Sequence, residues 1–333
     1  MSTIQDVAAA AKVSATTVSR YLNNRLELPA DTAARIDAAI ARLDYRPNAL
    51  AKRLSLGRSE AIGLVTPEIA NPFFAELAAA VEDEADKHGY AVFMASTGGR
   101  RERELASLGR LRDRHVDGLI MMTNQPDDGT LAAAVNQHRQ VVLIDEDIPG
   151  VNVPKVFVEN RQGAYLAIRH LVEAGHRRIA HIGGPADLFS AKERRQGFLD
   201  ALREAGVEAE PGFIHHGAYA REFGLEAMRG VLDAGDAPTA VFAGSDFIAL
   251  GVMQAIKQRG LSVPGDISLV GFDDMPFADL LAPGLTTVRQ PTAELGRAGL
   301  RALLALFEKK APEALTRLPV TLVERQSVAA PRQ

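Results

Sequence analysis

Ile4, Val7, Ala8 and Ala11 recur at helical spacing and share one face of a first predicted helix. Thr3, followed three residues later by Asp6, supplies its start signal. The pattern breaks at Lys12-Val13, and Ser14 is placed to cap a second helix. That helix turns Val18 and Leu22 inward and leaves Ala15, Thr16, Thr17, Ser19, Arg20 and Asn23 outward. A third helix opens at Pro29 and Asp31, carries Ile36, Ile40 and Leu43 as its apolar stripe, and ends near Asp44. The three stripes can close one small core. Tyr45-Arg46-Pro47-Asn48 reads as a turn whose proline bars simple continuation. Residues 48–55 form a short helix-former opened by Asn48, marginal in isolation.

From residue 60 the texture changes to apolar strands alternating with amphipathic helices. Strands are expected at 61–67, 90–95, 118–122 and 141–145, with helices at 73–88, 102–115 and 130–138 between them. Near Glu159-Asn160 a second series begins. It has helices at 161–174, 190–205, 222–233 and 246–259, and strands at 178–182, 213–215, 240–243 and 267–272. Buried strands alternating with helices mean parallel sheets covered on both faces. The fold class is therefore α/β, with two doubly wound lobes of about 100 residues each and a ligand cleft at the carboxyl ends of their strands.

Composition narrows the setting. A chain of 333 residues suggests two or three domains. Hydrophobic content of 47% with 24% charged residues is that of a globular protein. No apolar run reaches the roughly 18 residues of a membrane span, and the capped first helix has no signal-peptide pattern. Zero cysteines exclude disulfides and thiolate metal sites. These features favour the cytoplasm. The net charge of −4 hides an asymmetry. Residues 1–58 hold nine basic against five acidic residues, a net of +4, and the remaining 29 basic and 37 acidic residues give −8. A basic head on an acidic body points to a polyanion as the partner of the head.

The outward face of the second helix is small, polar and cationic, which suits entry into a DNA major groove. The plain alternative is a helical hairpin that only packs on the rest of the protein. The stretch Thr3 to Asn23 resembles the helix-turn-helix of the lac repressor/galactose repressor family, usually written I-x-D-V-A-x-x-A-G-V-S-x-x-T-V-S-R-x-L-N. Ile4, Asp6, Val7, Ala8, Ala11, Val13, Ser14, Thr17, Val18, Ser19, Arg20, Leu22 and Asn23 match it. Lys12 stands where the family usually has glycine. The resemblance implies a DNA-binding set of Thr3, Ser14, Ala15, Thr16, Thr17, Ser19, Arg20 and Asn23. It also implies a hinge helix in which Asn48, Ala51 and Leu54 meet the minor groove, with Leu54 as the wedge. An ordinary linker helix is the alternative there. The domain expectation is a headpiece at 1–46, a hinge and linker at 47–59, and an effector-binding and dimerisation body at 60–333.

The body resembles the periplasmic sugar-binding-protein fold carried by the same family, in which the chain crosses between lobes three times. The resemblance implies that a helix at 292–310 returns to the first lobe and a strand at 318–325 to the second. The first lobe is then about 60–159 and 291–314, and the second about 160–290 and 315–333. Strand ends supply the cleft candidates Asn71, Phe73, Phe74, Asp145, Arg194, Ser245, Asp246, Asp273 and Gln290. Phenylalanine rings can cover the C–H faces of a sugar while Asp, Asn, Gln and Arg bond its hydroxyls; as core residues they would do neither. The resemblance carries the ligand role through N-P-F-F at 71–74, S-A-x-x-R at 190–194, D-x-x-A-L-G at 246–251, G-F-D-D at 271–274 and T-T-V-x-Q at 286–290. Ser245 stands where asparagine is common, and Glu146 where arginine is frequent, so the sugar's identity stays open.

Catalysis has weaker support. Asp273 and Asp274 are neighbours on a strand end, where side chains point apart. His215-His216 lacks a spaced third metal ligand. Gly183-Gly184-Pro185 is not a dinucleotide loop, and there is neither a G-x-S-x-G elbow nor a Walker loop. No enzyme and no cofactor are expected. The choice is between a ligand-gated DNA-binding repressor and a transport-type sugar-binding protein, which has no helix-turn-helix. The repressor is expected to bind a pseudo-palindromic double-stranded operator as a homodimer. The tail after Val328 is too short and proline-interrupted for the family's tetramer-forming heptad helix. Asp145, Glu146, Asp246 and Asp273 against the single cation Arg194 favour a neutral monosaccharide or polyol over a sugar acid or sugar phosphate.

Overall fold

The computed structural model describes residues 2–22, 26–45, 58–235 and 237–332. The chain divides into two compact units, Met1–Ser59 and Glu60–Gln333. In the first, α1 (Ile4–Ala11), α2 (Ala15–Leu22) and α3 (Ala30–Leu43) enclose Val7, Ala8, Ala11, Val18, Ile36 and Ala39. Thr3 caps α1 reciprocally. Its hydroxyl accepts the Asp6 amide at 3.3 Å, and the Asp6 carboxylate accepts the Thr3 amide at 2.8 Å. Ser14 caps α2 by accepting the Thr17 amide at 3.0 Å. The expected inward residues Leu22, Ile40 and Leu43 pack at the edge of this core, half-buried.

The turn between α1 and α2 runs through Lys12, at φ 54° and ψ 46°. A β-carbon in this left-handed region costs about 1 kcal/mol, and glycine carries none. Lys12 is exposed, so its side chain adds no core packing. Lys12→Gly is expected to stabilise the headpiece by about 0.5 kcal/mol, the strain relief less the larger entropy loss of glycine. Amide hydrogen exchange at Val7 and Val18 in the full chain should slow about two-fold; faster exchange would show that the lysine stabilises the turn.

The second unit holds two six-stranded sheets. The first has strand order β11-β5-β4-β3-β1-β2, with β1 (Ala61–Thr66), β2 (Ala91–Ser96), β3 (Gly118–Met121), β4 (Val141–Ile144), β5 (Lys155–Val158) and β11 (Leu315–Leu318). The second has order β12-β10-β9-β8-β6-β7, with β6 (Ile179–Gly183), β7 (Ile214–His216), β8 (Ala240–Ala243), β9 (Ser268–Asp273), β10 (Thr286–Arg289) and β12 (Thr321–Val323). All pairings are parallel except β10 with β12. In the first lobe α4 (Pro72–Lys87), α5 (Arg101–Arg112) and α6 (Thr130–Val135) follow successive strands. In the second, α7 (Asn160–Glu173), α8 (Phe189–Glu204), α9 (Arg221–Asp233) and α10 (Asp246–Gln258) do the same. Strands β1, β3, β4, β6, β8 and β9 are buried along their whole length, which explains their unbroken apolar runs.

The chain passes between the sheets after β5, after β10 and after β11. Helix α11 (Thr292–Phe307) lies on the first lobe against α4 and strands β3 to β5. One expected boundary needs correction. Residues from 315 onward were assigned to the second lobe, yet β11 pairs in parallel with β5 of the first sheet, Leu315 to Lys155 through Leu318 to Val158. The last crossing therefore lies at 319–320, and the strand of the second lobe is shorter than the expected 318–325. Strands β5, β10 and β11 are also missing from the sequence reading. Each carries a charged residue, Lys155, Arg289 or Arg317, so none shows the unbroken apolar run that marks the equally short β3, β4 and β8.

Candidate functional site

A cavity of about 80 Å³ lies between the two lobes. One water needs roughly 10–15 Å³ on the same measure, so a small metabolite's worth of space is present. The first lobe lines it with Glu68, Asn71, Phe73, Phe74, Thr123, Asn124, Asp145 and Glu146. The second lobe brings Leu188, Ser190, Arg194, Tyr219, Ser245, Phe247, Asp273 and Met275, and Gln290 stands at a crossing.

Helix starts and strand ends aim these groups. Asn71 caps α4, its Oδ1 accepting the Phe73 amide at 3.0 Å, with Pro72 in the first turn. That cap holds Phe73 and Phe74 edge to face, ring centres 5.2 Å apart, at the cavity wall. Ser245 caps α10 by accepting the Ile248 amide at 3.2 Å. Asp145 and Asp273, at the ends of β4 and β9, have φ of 70° and 117°. Non-glycine residues in such conformations cost about 1–3 kcal/mol, and the cost concentrates at ligand sites.

Arg194 is held in place on several sides. Its Nε donates to Asn160 Oδ1 at 2.8 Å and its Nη1 to the Gly244 carbonyl at 2.6 Å. Its guanidinium stands 3.7 Å from the centre of the Phe272 ring, with Asp273 Oδ1 at 3.6 Å. Gly197 makes this possible: a β-carbon there would sit 2.0 Å from the Arg161 carbonyl, so only glycine lets α8 approach α7 and brings Arg194 to Asn160. Gln290 Nε2 donates to Asp273 Oδ1 at 2.7 Å, which fixes the amide. Gln290 Oε1 and Asn124 Oδ1 are both buried without a hydrogen-bond partner.

Asp246 departs from expectation. It is fully buried and does not line the cavity. Its Oδ1 accepts from the Thr287 hydroxyl at 2.6 Å and its Oδ2 from the Met275 amide at 2.8 Å. It thereby ties the start of α10 to β10 and to the loop after β9, and the next residue, Phe247, lines the cavity instead. The motif gave the right backbone place; the direction of the side chain is set by β9 and β10. Electrostatics also differ from the expected ring of carboxylates. Burial raises Asp246 well above its usual range, with the Asp273 charge adding to the effect. Burial, then the neighbouring Asp145, pushes Glu146 up to about 8. Burial raises Asp273 to about 7 against the pull of Arg194, and Asp145 rises for the same reason. Burial thus disfavours the charged form of Asp145, Glu146, Asp246 and Asp273 alike, so these four carboxyls weigh less against Arg194 than their number implies.

Thr123, Asn124, Ser190, Tyr219, Phe247 and Met275 were not singled out in advance as ligand groups. Ser190 sat inside the arginine motif, whereas Asn124 and Tyr219 follow short strands and carry no spacing signal. His215 and His216 bond the Gly212 and Gly184 carbonyls, and no metal-holding cluster occurs among the described residues. In the headpiece, Thr16 and Arg20 are exposed on α2, as is Thr3. Ala15 packs half-buried on the core, and the Thr17 hydroxyl lies 2.8 Å from that of Ser14. Ser19 is half-buried and has a partner. Those three are therefore less free than the helical wheel implies. Asn23, Asn48, Ala51 and Leu54 lie outside the described residues.

Comparison with known proteins agrees along the whole chain. Residues 3–48 match the family described as bacterial regulatory proteins, lacI family, and residues 168–328 match the periplasmic binding protein-like domain. HTH-type transcriptional repressor PurR of Aliivibrio salmonicida (strain LFI1238) is 34% identical over 330 residues, covering 98% of this chain and 99% of that protein. HTH-type transcriptional repressor CytR of Escherichia coli (strain K12) is 34% identical over 306 residues, covering 91% and 89%. The crystal structure of the lac repressor dimer bound to operator and the anti-inducer ONPF superimposes with a TM-score of 0.85 at 30% identity, covering 99% of each chain. The complex of the transcriptional regulator CelR with cellobiose gives 0.75 at 31% identity, covering 98% of this chain and all of the other. This chain belongs to the lacI family of bacterial regulatory proteins, and is a ligand-responsive, DNA-binding transcriptional repressor, not an enzyme.

Proposed function

We propose that the repressor controls carbohydrate uptake or catabolism genes and is gated by a neutral monosaccharide or polyol. The observation that carries this is the Phe73–Phe74 wall set beside the polar side chains of Asn71, Asn124, Ser190, Arg194 and Gln290 in one cavity. Sugar hydroxyls can bond such polar groups while C–H faces cover the rings. A phosphate or carboxylate would meet Arg194 with Asp273 already beside it. The cellobiose held by the related CelR is in line with this chemistry. A calorimetric screen of neutral sugars, polyols, sugar phosphates and sugar acids tests it. The expected result is binding by a neutral compound; exclusive binding of an anion would overturn the reading.

The repressor acts in the cytoplasm as a homodimer on a pseudo-palindromic operator, since one short recognition helix reads only a few base pairs. The related lac repressor is a dimer on its operator. On this chain the edge strand β2 leaves Phe93 at 52% and Met94 at 41% exposure, an apolar edge suited to a second copy. Among the described residues no helix is long and apolar enough to cross a membrane.

A further inference from the structure

The first turn of α8 joins the two lobes, and does so twice. On the cavity side, the Ser190 amide and hydroxyl both donate to the Glu146 carboxyl of the first lobe, at 3.2 and 2.7 Å. The Tyr219 hydroxyl stands 3.0 Å from the same Ser190 oxygen. On the outer side, Arg317 of β11 makes a two-pronged bond to Glu193 of α8, at 3.0 and 2.8 Å. Glu159, at the first crossing, lies 3.7 Å from the same guanidinium. Phe189 fills the space between, its ring 4.9 Å from that of Phe157 in β5 and 5.6 Å from the Arg317 guanidinium. Along α8, Ser190 and Arg194 share one face four residues apart, and Phe189 and Glu193 share another. One face lines the cavity; the other grips the first lobe.

We propose that the first turn of α8 is a double clasp that sets the balance between the open and closed lobes. The outer clasp, Arg317–Glu193 with the Phe157–Phe189 contact, fixes the resting balance. The inner clasp, Glu146–Ser190, is remade when a ligand takes up the Ser190 hydroxyl. Both its members line the cavity, so an incoming hydroxyl competes directly with the bond that spans the lobes. Closure and occupancy are thereby linked through one helical turn, without a relay through the sheets. The role of the clasp in gating rests on the cleft being the effector site; its action on the lobes does not.

The test needs no ligand. The chain has no cysteine, so two introduced ones label it cleanly. Spin labels at Glu102→Cys on α5 and Lys257→Cys on α10 report lobe separation in the full chain, with labelled protein diluted into unlabelled so that distances within one chain dominate. The unaltered clasp is expected to give one dominant short distance. A partly buried ion pair contributes about 0.5–1 kcal/mol, so Glu193→Gln should raise the longer-distance population about two- to five-fold. Ser190→Ala should act in the same direction. Arg317→Gln should give a similar shift, and combining it with Glu193→Gln should add little further, because both remove the same bond; misfolding or two unrelated losses would add. Distances unmoved by the single changes, or effects of Arg317→Gln and Glu193→Gln that simply add, would overturn the clasp. That failure leaves the calorimetric screen unaffected, and an anion-only result in the screen leaves the distances unaffected.

Discussion

Asp273→Asn is expected to weaken binding of the neutral effector by about 1.5–3 kcal/mol, roughly 10- to 150-fold, the usual worth of a hydrogen bond to a charged group. Asp273 lies between Arg194 and Gln290, accepting from the Gln290 amide at 2.7 Å with the guanidinium at 3.6 Å. Asparagine keeps the volume, removes the charge and sets a second NH2 group against Gln290. The Gln290 amide then loses the carboxylate that anchors it. Calorimetry with the sugar found in the screen measures the effect, and unchanged affinity would remove Asp273 from the site. Folding gives a second readout. Burial raises this acid from 3.8 to about 7, so the folded chain holds a proton that the unfolded chain releases. The resulting stability is full below pH 3.8 and is lost as pH rises through about 7. Asp273→Asn should flatten that part of the stability profile, seen in urea midpoints between pH 5 and 8.

Arg20→Ala should cost about 1–3 kcal/mol of specific operator binding and relax preference at one position in each half-site. Arg20 is exposed on α2, one turn beyond Thr16, in the helix that the lacI family match covers. Its fork suits the two acceptors of guanine in the major groove. Binding to a randomised half-site library, sequenced before and after selection, reads both affinity and preference. If Arg20 only touches phosphate, affinity falls evenly across sequences and the salt dependence drops by about one unit of slope. That outcome would remove Arg20 from base reading.

How much was legible follows from period and length. Helices α7 to α10 lie within a residue of expectation at each bound, because a stripe of three or four turns leaves little freedom, and β8 matches because its four residues are all apolar. Strands β5, β10 and β11 each carry a charged residue and read as no strand, and with β11 goes the place of the last crossing. Candidates that cap helices or end strands, such as Asn71, Asp145, Ser245 and Asp273, line the cavity because the fold fixes those places. Their directions and charges were not visible. Asp246 turns away because Thr287 and the Met275 amide hold its oxygens, a contact spanning 41 and 29 residues in sequence. Burial raises Glu146, and that burial depends on the opposite lobe, whose Ser190 bonds it. Lys12 is the converse: its departure from glycine was legible, and the left-handed backbone there gives that departure a physical cost.

A headpiece that reads sequence and a cavity that changes what the headpiece does are open to one measurement. Fluorescence anisotropy tests both at once, using the full chain, an operator selected from random DNA, a scrambled duplex, and the sugar identified by calorimetry. At physiological salt the operator should bind about 10³-fold or more tightly than the scrambled duplex. Saturating sugar should shift the operator affinity by about 5- to 150-fold. Equal affinity for the two duplexes, or an operator affinity that saturating sugar leaves unchanged, would contradict it.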